Sequence, residues 1–205
     1  MPIMHVYFPD GALKDQQKSN LAGALTEIML NMEGGARTRG GQAFALVLFS
    51  EIGGAGWWTG GHSDETFVSP PGAFLVRVTV PEGYLNIVNK SGVHAAVNAA
   101  ILSVAGDTDA PGKGANIQVI IDEVTEGNWG AGGATISLAA IAETVGLPKD
   151  GSRFAWTRTY FEAKARLRHA FGFPADVGGL LPLDPKVAAK ATRQSSAVSP
   201  DVTRR

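Results

Sequence analysis

Apolar positions along residues 2–135 alternate between a period of two and a period near 3.6, twice over and in the same order. Residues 3–8 carry Ile3, Val6, Tyr7 and Phe8 and read as a strand, closed by the turn Pro9-Asp10-Gly11. A helix is predicted over residues 14–32, with Leu21, Leu25, Ile28, Met29 and Met32 on one stripe and Gly34-Gly35 as its stop. A Gly/Arg-rich loop then leads to a strongly apolar strand at residues 44–50. The same succession follows at residues 74–80 (strand), 86–104 (helix), 106–114 (Gly/Pro-rich loop) and 117–124 (strand). Beyond Gly133 the pattern changes. Residues 136–145 read as a short helix ended by Gly146-Leu147-Pro148. Residues 152–171 read as a longer helix whose packing stripe is Trp156, Tyr160, Ala163, Leu167, Ala170 and Phe171. Residues 174–185 read as loop, and the polar residues after them as a disordered tail.

The two halves superpose at a constant offset of 72 without a gap. Pro9-Asp10-Gly11 falls on Pro81-Glu82-Gly83, Glu51 on Glu123, Trp57 on Trp129, and Gly60-Gly61 on Gly132-Gly133. The helical stripe falls on Val93, Val97, Ala100, Ile101 and Val104. Strand, crossover helix and strand make a β-α-β unit, whose two long strands lie parallel. The predicted fold is therefore α+β: tandem β-α-β units forming a four-stranded sheet with two helices on one face, plus a C-terminal helical extension. The boundaries are 2–72 for the first unit, 73–135 for the second, 136–182 for the extension and 183–205 for the tail. The uncovered sheet face implies self-association, and each Gly-Gly pair a short hairpin reaching a neighbour.

Composition narrows the function. Net charge is −1 with 18% charged and 44% hydrophobic residues, which favours neither a nucleic acid nor an anionic membrane as partner. There is no cysteine, so thiolate chemistry and disulfides are excluded. The four histidines lack ligand spacing, and no metal is expected. With no secretory core before the first strand and no apolar run of about 18 residues, the expected location is cytoplasmic.

Pro2 is the strongest chemical signal. Removal of Met1 would leave a secondary amine at the mouth of a strand. An α-amino group titrates near ~7.7–8.0 in water, and an apolar pocket lowers that value, so such an amine can be neutral and basic at physiological pH. The structural alternative is a proline that merely opens an edge strand.

These residues resemble a family. Pro2-Ile3, the acid–glycine pair Asp10-Gly11, and the stretch Val119-Ile120-Ile121-Asp122-Glu123 continuing to Gly127-Asn128-Trp129-Gly130-Ala131-Gly132-Gly133 are similar to the 4-oxalocrotonate tautomerase group of the tautomerase superfamily, in its fused form. The resemblance covers roughly residues 2–135 and implies a homotrimer of fused chains, a pseudo-hexamer of β-α-β units. It implies a cofactor-independent tautomerase with Pro2 as general base, transferring a proton between carbon and oxygen of a small 2-oxo or enol acid. Phe74 holds the equivalent place in the second unit, so one working site per chain is expected. The aromatic before the family's hairpin matches Trp57 and Trp129, as pocket walls or as packing. The family's two substrate-binding arginines are missing, since Ala12 and Tyr84, then Leu46 and Gln118, stand at those positions. Arg37 and Arg39 are the nearest replacements if the loop is extended, as an i, i+2 pair facing one side, and a solvated loop is the alternative. Gln118 and Asn128 could bond a carbonyl oxygen. Decarboxylation or hydrolytic dehalogenation of a small acid remains a variant on the same fold, and the lost arginines leave open a non-catalytic binding or scaffold protein.

Overall fold

The structure is a computed structural model that describes residues 2–174, apart from 36, 107–108 and 148–149. The predicted tail and the end of the predicted extension lie outside the described residues. In the first unit β1 (Ile3–Pro9) leads to α1 (Asp15–Met32), a short α2 (Arg39–Phe44) and β2 (Leu46–Ile52). In the second, β3 (Phe74–Pro81) leads to α3 (Ile87–Ala105) and β4 (Ile117–Val124). The hairpin β5 (Gly130–Ala131) with β6 (Ala134–Thr135) follows, then α4 (Leu138–Thr144) and α5 (Ser152–Ala170).

The main sheet runs β2-β1-β3-β4. Each unit contributes a parallel pair, and β1 meets β3 antiparallel at the centre, with Ile3 opposite Thr79 and Val6 opposite Val76. The antiparallel seam makes the two units face opposite ways. Pro2, at the start of β1, therefore lies beside the end of β3 and the turn after it.

Alternation decides the faces. Met4, Val6 and Phe8 of β1 and Phe74, Val76, Val78 and Val80 of β3 are buried under the helices. They pack with Leu21, Leu25 and Met29 of α1 and Val93, Val97 and Ile101 of α3 in one core. The helices run side by side in opposite senses, since Gln17 near the start of α1 donates to the Val104 carbonyl near the end of α3 at 2.8 Å. On the other face Leu46, Leu48 and Ile120 stay exposed beside His5, Tyr7 and Arg77.

Three expectations need correction. The Gly/Arg-rich loop contains α2, because Thr38 caps it: its hydroxyl oxygen accepts from the Gly41 amide at 3.0 Å and its O–H donates to the Val145 carbonyl at 3.0 Å. The following strand consequently begins at Leu46 rather than 44. The packing stripe of α5 is also different: Phe154 and Thr157 are buried, whereas Leu167 and Phe171 are exposed. Phe161 on the same side packs against the core, so the face that docks is the one its neighbours select.

Candidate functional site

Pro2 is buried, and it lines a narrow cavity of ≈ 20 Å³, room for about one water. Four segments converge there. The end of α1 gives Met32 and Glu33, and the end of β3 gives Val80 and Pro81. The turn after β3 supplies Tyr84 and Leu85, and the extension closes the space with Leu138, Ile141, Ala142 and Leu147. The last group matters for chemistry, because a cap of aliphatic side chains excludes solvent from the proline ring.

Two polar side chains sit in this apolar lining. Glu33 is 5% exposed, a buried carboxyl group at the end of α1. Tyr84 is 6% exposed, and its hydroxyl donates to the Glu33 carbonyl at 2.9 Å. Burial pushes the Tyr84 phenol above its ordinary range, while the positive charge of Arg153 opposes the rise. Arg153 lies 5.3 Å from the Tyr84 ring centre and donates a hydrogen bond to the Met32 carbonyl. Tyr84 is thus a phenol that stays protonated near neutrality, held at the cavity wall.

A second acidic group fastens the cap. Glu126, 3% exposed, accepts from the Leu138 amide at the start of α4 through both carboxylate oxygens, at 3.0 and 3.2 Å. Ser137 caps the same helix by accepting from the Ala140 amide at 3.1 Å. Glu82 holds α5, accepting from the Tyr160 hydroxyl at 2.7 Å and from Lys164.

The other residues singled out in the sequence lie elsewhere in the chain. Arg37 bonds Glu27 at 2.8 and 3.2 Å and Asn31 at 3.0 Å on the surface. Arg39 opens α2, so the pair does not form the extended two-residue clamp. Trp57 is half-buried in the loop after β2, and Trp129 half-buried before the hairpin. Gln118 is exposed on the helix-free face and Asn128 is exposed in the turn after β4. None of the six lines the Pro2 cavity. Conversely, sequence reasoning missed Glu33, Arg153 and the α4 cap. Tyr84 could have been found, because an antiparallel seam between the units carries the second unit's post-turn residue to the first unit's proline. Among the described residues no group of three or more His, Cys, Asp or Glu could hold a metal ion, and no helix is long and apolar enough to cross a membrane.

No protein-family model matches the sequence, and no curated protein matches it significantly. Solved structures do. A native fused 4-OT is 25% identical, with 65% of this chain and 94% of that one covered and a TM-score of 0.53. The chain has the tautomerase-superfamily fold. Another fused 4-OT, an asymmetric trimer, is 22% identical over 65% of this chain and 94% of its own, at a TM-score of 0.52. A member of the cis-3-chloroacrylic acid dehalogenase family is 14% identical over 82% of this chain and 99% of that one, at 0.51. The superfamily fold thus accounts for the fused units, and the dehalogenase-family likeness reaches past them into the extension.

Proposed function

We propose that the protein, once Met1 is removed, is a cofactor-independent tautomerase in which the Pro2 amine moves a proton between C3 and the C2 oxygen of a small 2-oxo or enol acid. The observation that carries this reading is the burial of Pro2 in an apolar cavity that Tyr84 also lines. A neutral amine there takes the C3 proton of the keto form. The electron pair left behind moves into the carbonyl, and the Tyr84 O–H, turned from the Glu33 carbonyl, stabilises the enolate oxygen. The protonated proline then returns its proton to that oxygen. In the opposite direction the same groups ketonise an enol. We also propose a homotrimer, in keeping with the trimers formed by fused 4-OT neighbours. In such an assembly Trp57 or Trp129 of an adjoining copy would wall the entrance.

The test combines intact mass with catalysis. Mass spectrometry should show Met1 absent, and phenylenolpyruvate ketonisation should fall at least about 100-fold in Pro2→Ala, the usual scale of a positioned general base. Retained Met1 would acylate the proline nitrogen and end the proposal, as would a rate indifferent to the substitution. The water-sized cavity favours one competing reading, a binding or scaffold protein whose cap has filled an ancestral site.

A further inference from the structure

The Pro2 cavity has a carboxyl group in its wall and no cationic side chain among its lining residues, an awkward surface for an acid. Arg153 approaches that wall from outside. Its guanidinium bonds the Met32 carbonyl and lies beside the Tyr84 ring, and both residues line the cavity. On its other side Arg153 borders a second, roomier cleft of ≈ 260 Å³ between α1 and α3, lined also by Met32, Asn31, Asn89, Gly92 and Ala96. Met32 therefore lines both spaces, and Arg153 borders the second of them.

We propose that Arg153, presented by the C-terminal extension, binds the carboxylate of the substrate, and that the α1–α3 cleft receives this acid end while the reactive carbon points to Pro2. The proposal rests on the tautomerase reading and names the residue that selects acids for it. Five observations support it. Arg153 is the second residue of α5, where a cation opposes the helix dipole, so its position is not one that helix stability favours. The Met32 carbonyl, at the negative end of α1, offsets this and aims the side chain across the wall. A guanidinium offers five N–H donors in a fork that suits a carboxylate, more than its bonds to the Met32 carbonyl and the Tyr84 side chain use. Gly92 and Ala96 keep the cleft open: a Cβ added at Gly92 would meet nothing within 4 Å. Asn89, in the first turn of α3, adds an amide beside backbone N–H groups at the positive end of that helix.

The experiment uses the full chain, with 2-oxobutanoate and its uncharged methyl ester as probes. Calorimetric binding is measured in the Pro2→Ala background, and C3 deuterium exchange by NMR with Pro2 intact. Arg153→Gln should weaken binding of the acid about 10- to 100-fold, raise KM by a similar factor and leave the ester unchanged. Arg153→Lys should recover part of the loss, and added guanidinium should rescue Arg153→Gln for the acid alone. Gly92→Leu, which fills the cleft, should also weaken the acid more than the ester. Equal losses for acid and ester, unaltered acid binding, or no acid binding at all in the Pro2→Ala protein would each overturn the assignment. Exchange that persists in Pro2→Ala defeats the tautomerase reading instead, and the binding comparison still decides the role of Arg153.

Discussion

At the scale of single residues, Glu126 shows how a buried carboxyl group can be both necessary and costly. Its oxygens satisfy the Leu138 amide, which has no intrahelical acceptor at the start of α4. Burial raises its pKa above the ordinary glutamate range, against the opposing pull of the Leu138 hydrogen bond. A raised folded-state value means that the group's contribution to stability is fully present below the unfolded pKa and is lost as pH rises through the folded one. Glutamine keeps an acceptor for Leu138 without the charge. Glu126→Gln should therefore be as stable as wild type near pH 4 and more stable at pH 8. Glu126→Ala strands a buried amide and should cost about 1–3 kcal/mol at both. Urea unfolding of the three proteins at the two pH values decides it, and a Gln variant as damaged as the Ala variant at pH 8 would refute the account.

At the scale of elements, the repeat permits an internal control. Gly11 and Gly83 are equivalent and have φ of +79° and +76°, a left-handed conformation that disfavours any side chain. Their surroundings differ. A Cβ at Gly11 meets nothing within 4 Å, whereas one at Gly83 would fall 2.6 Å from the Tyr160 ring and 2.9 Å from that of Phe161. Gly11→Ala should cost about 1–2 kcal/mol from backbone strain alone, and Gly83→Ala should cost more because it displaces α5. The Tyr160 phenol reports the displacement: burial and the Glu82 carboxylate push it up to about 12, and undocking should return it toward ~10 in an ultraviolet titration. An unchanged Tyr160 in Gly83→Ala would mean that α5 tolerates the intrusion. The same comparison explains which elements were legible in the sequence. β1, β3, β4, α1 and α3 each bury one periodic face, so apolar spacing defined them. In α2 a capping threonine and a carbonyl 107 residues away make the helix, and neither leaves a periodic trace. In α5 aromatic residues occupy more than one face, and only its contacts distinguish Phe154 and Phe161 from Leu167. Pro2 was visible as a residue type, but most of the wall around it was not. Leu138, Ile141 and Ala142 belong to a segment without a repeat partner.

At the scale of the whole molecule, the unresolved asymmetry is the sheet itself. Two helices cover one face, and the other presents Leu46 at 47%, Leu48 at 40% and Ile120 at 45% exposure, spread across both outer strands. Between them His5 stacks on Tyr7 with ring centres 4.0 Å apart and shares a hydrogen bond with Ser50 at 2.7 Å, and Arg77 bonds Asp122 at 2.9 Å. Polar groups that keep such partners lose little on leaving water, and the aliphatic side chains beside them gain. This face is where the proposed trimer would close, with Leu48 of the first unit and Ile120 of the second at pseudo-equivalent edges. The 21.4 kDa chain should then run as a species of roughly 64 kDa by light scattering, since cyclic closure leaves no free edge for further growth. Leu48→Asp with Ile120→Asp places two carboxylates on that face, where burial without a partner is prohibitive, and should yield monomer. Both positions lie outside the core, so the variant should keep its helical circular dichroism. A wild-type monomer, or a double variant that remains trimeric, would exclude this face as the interface.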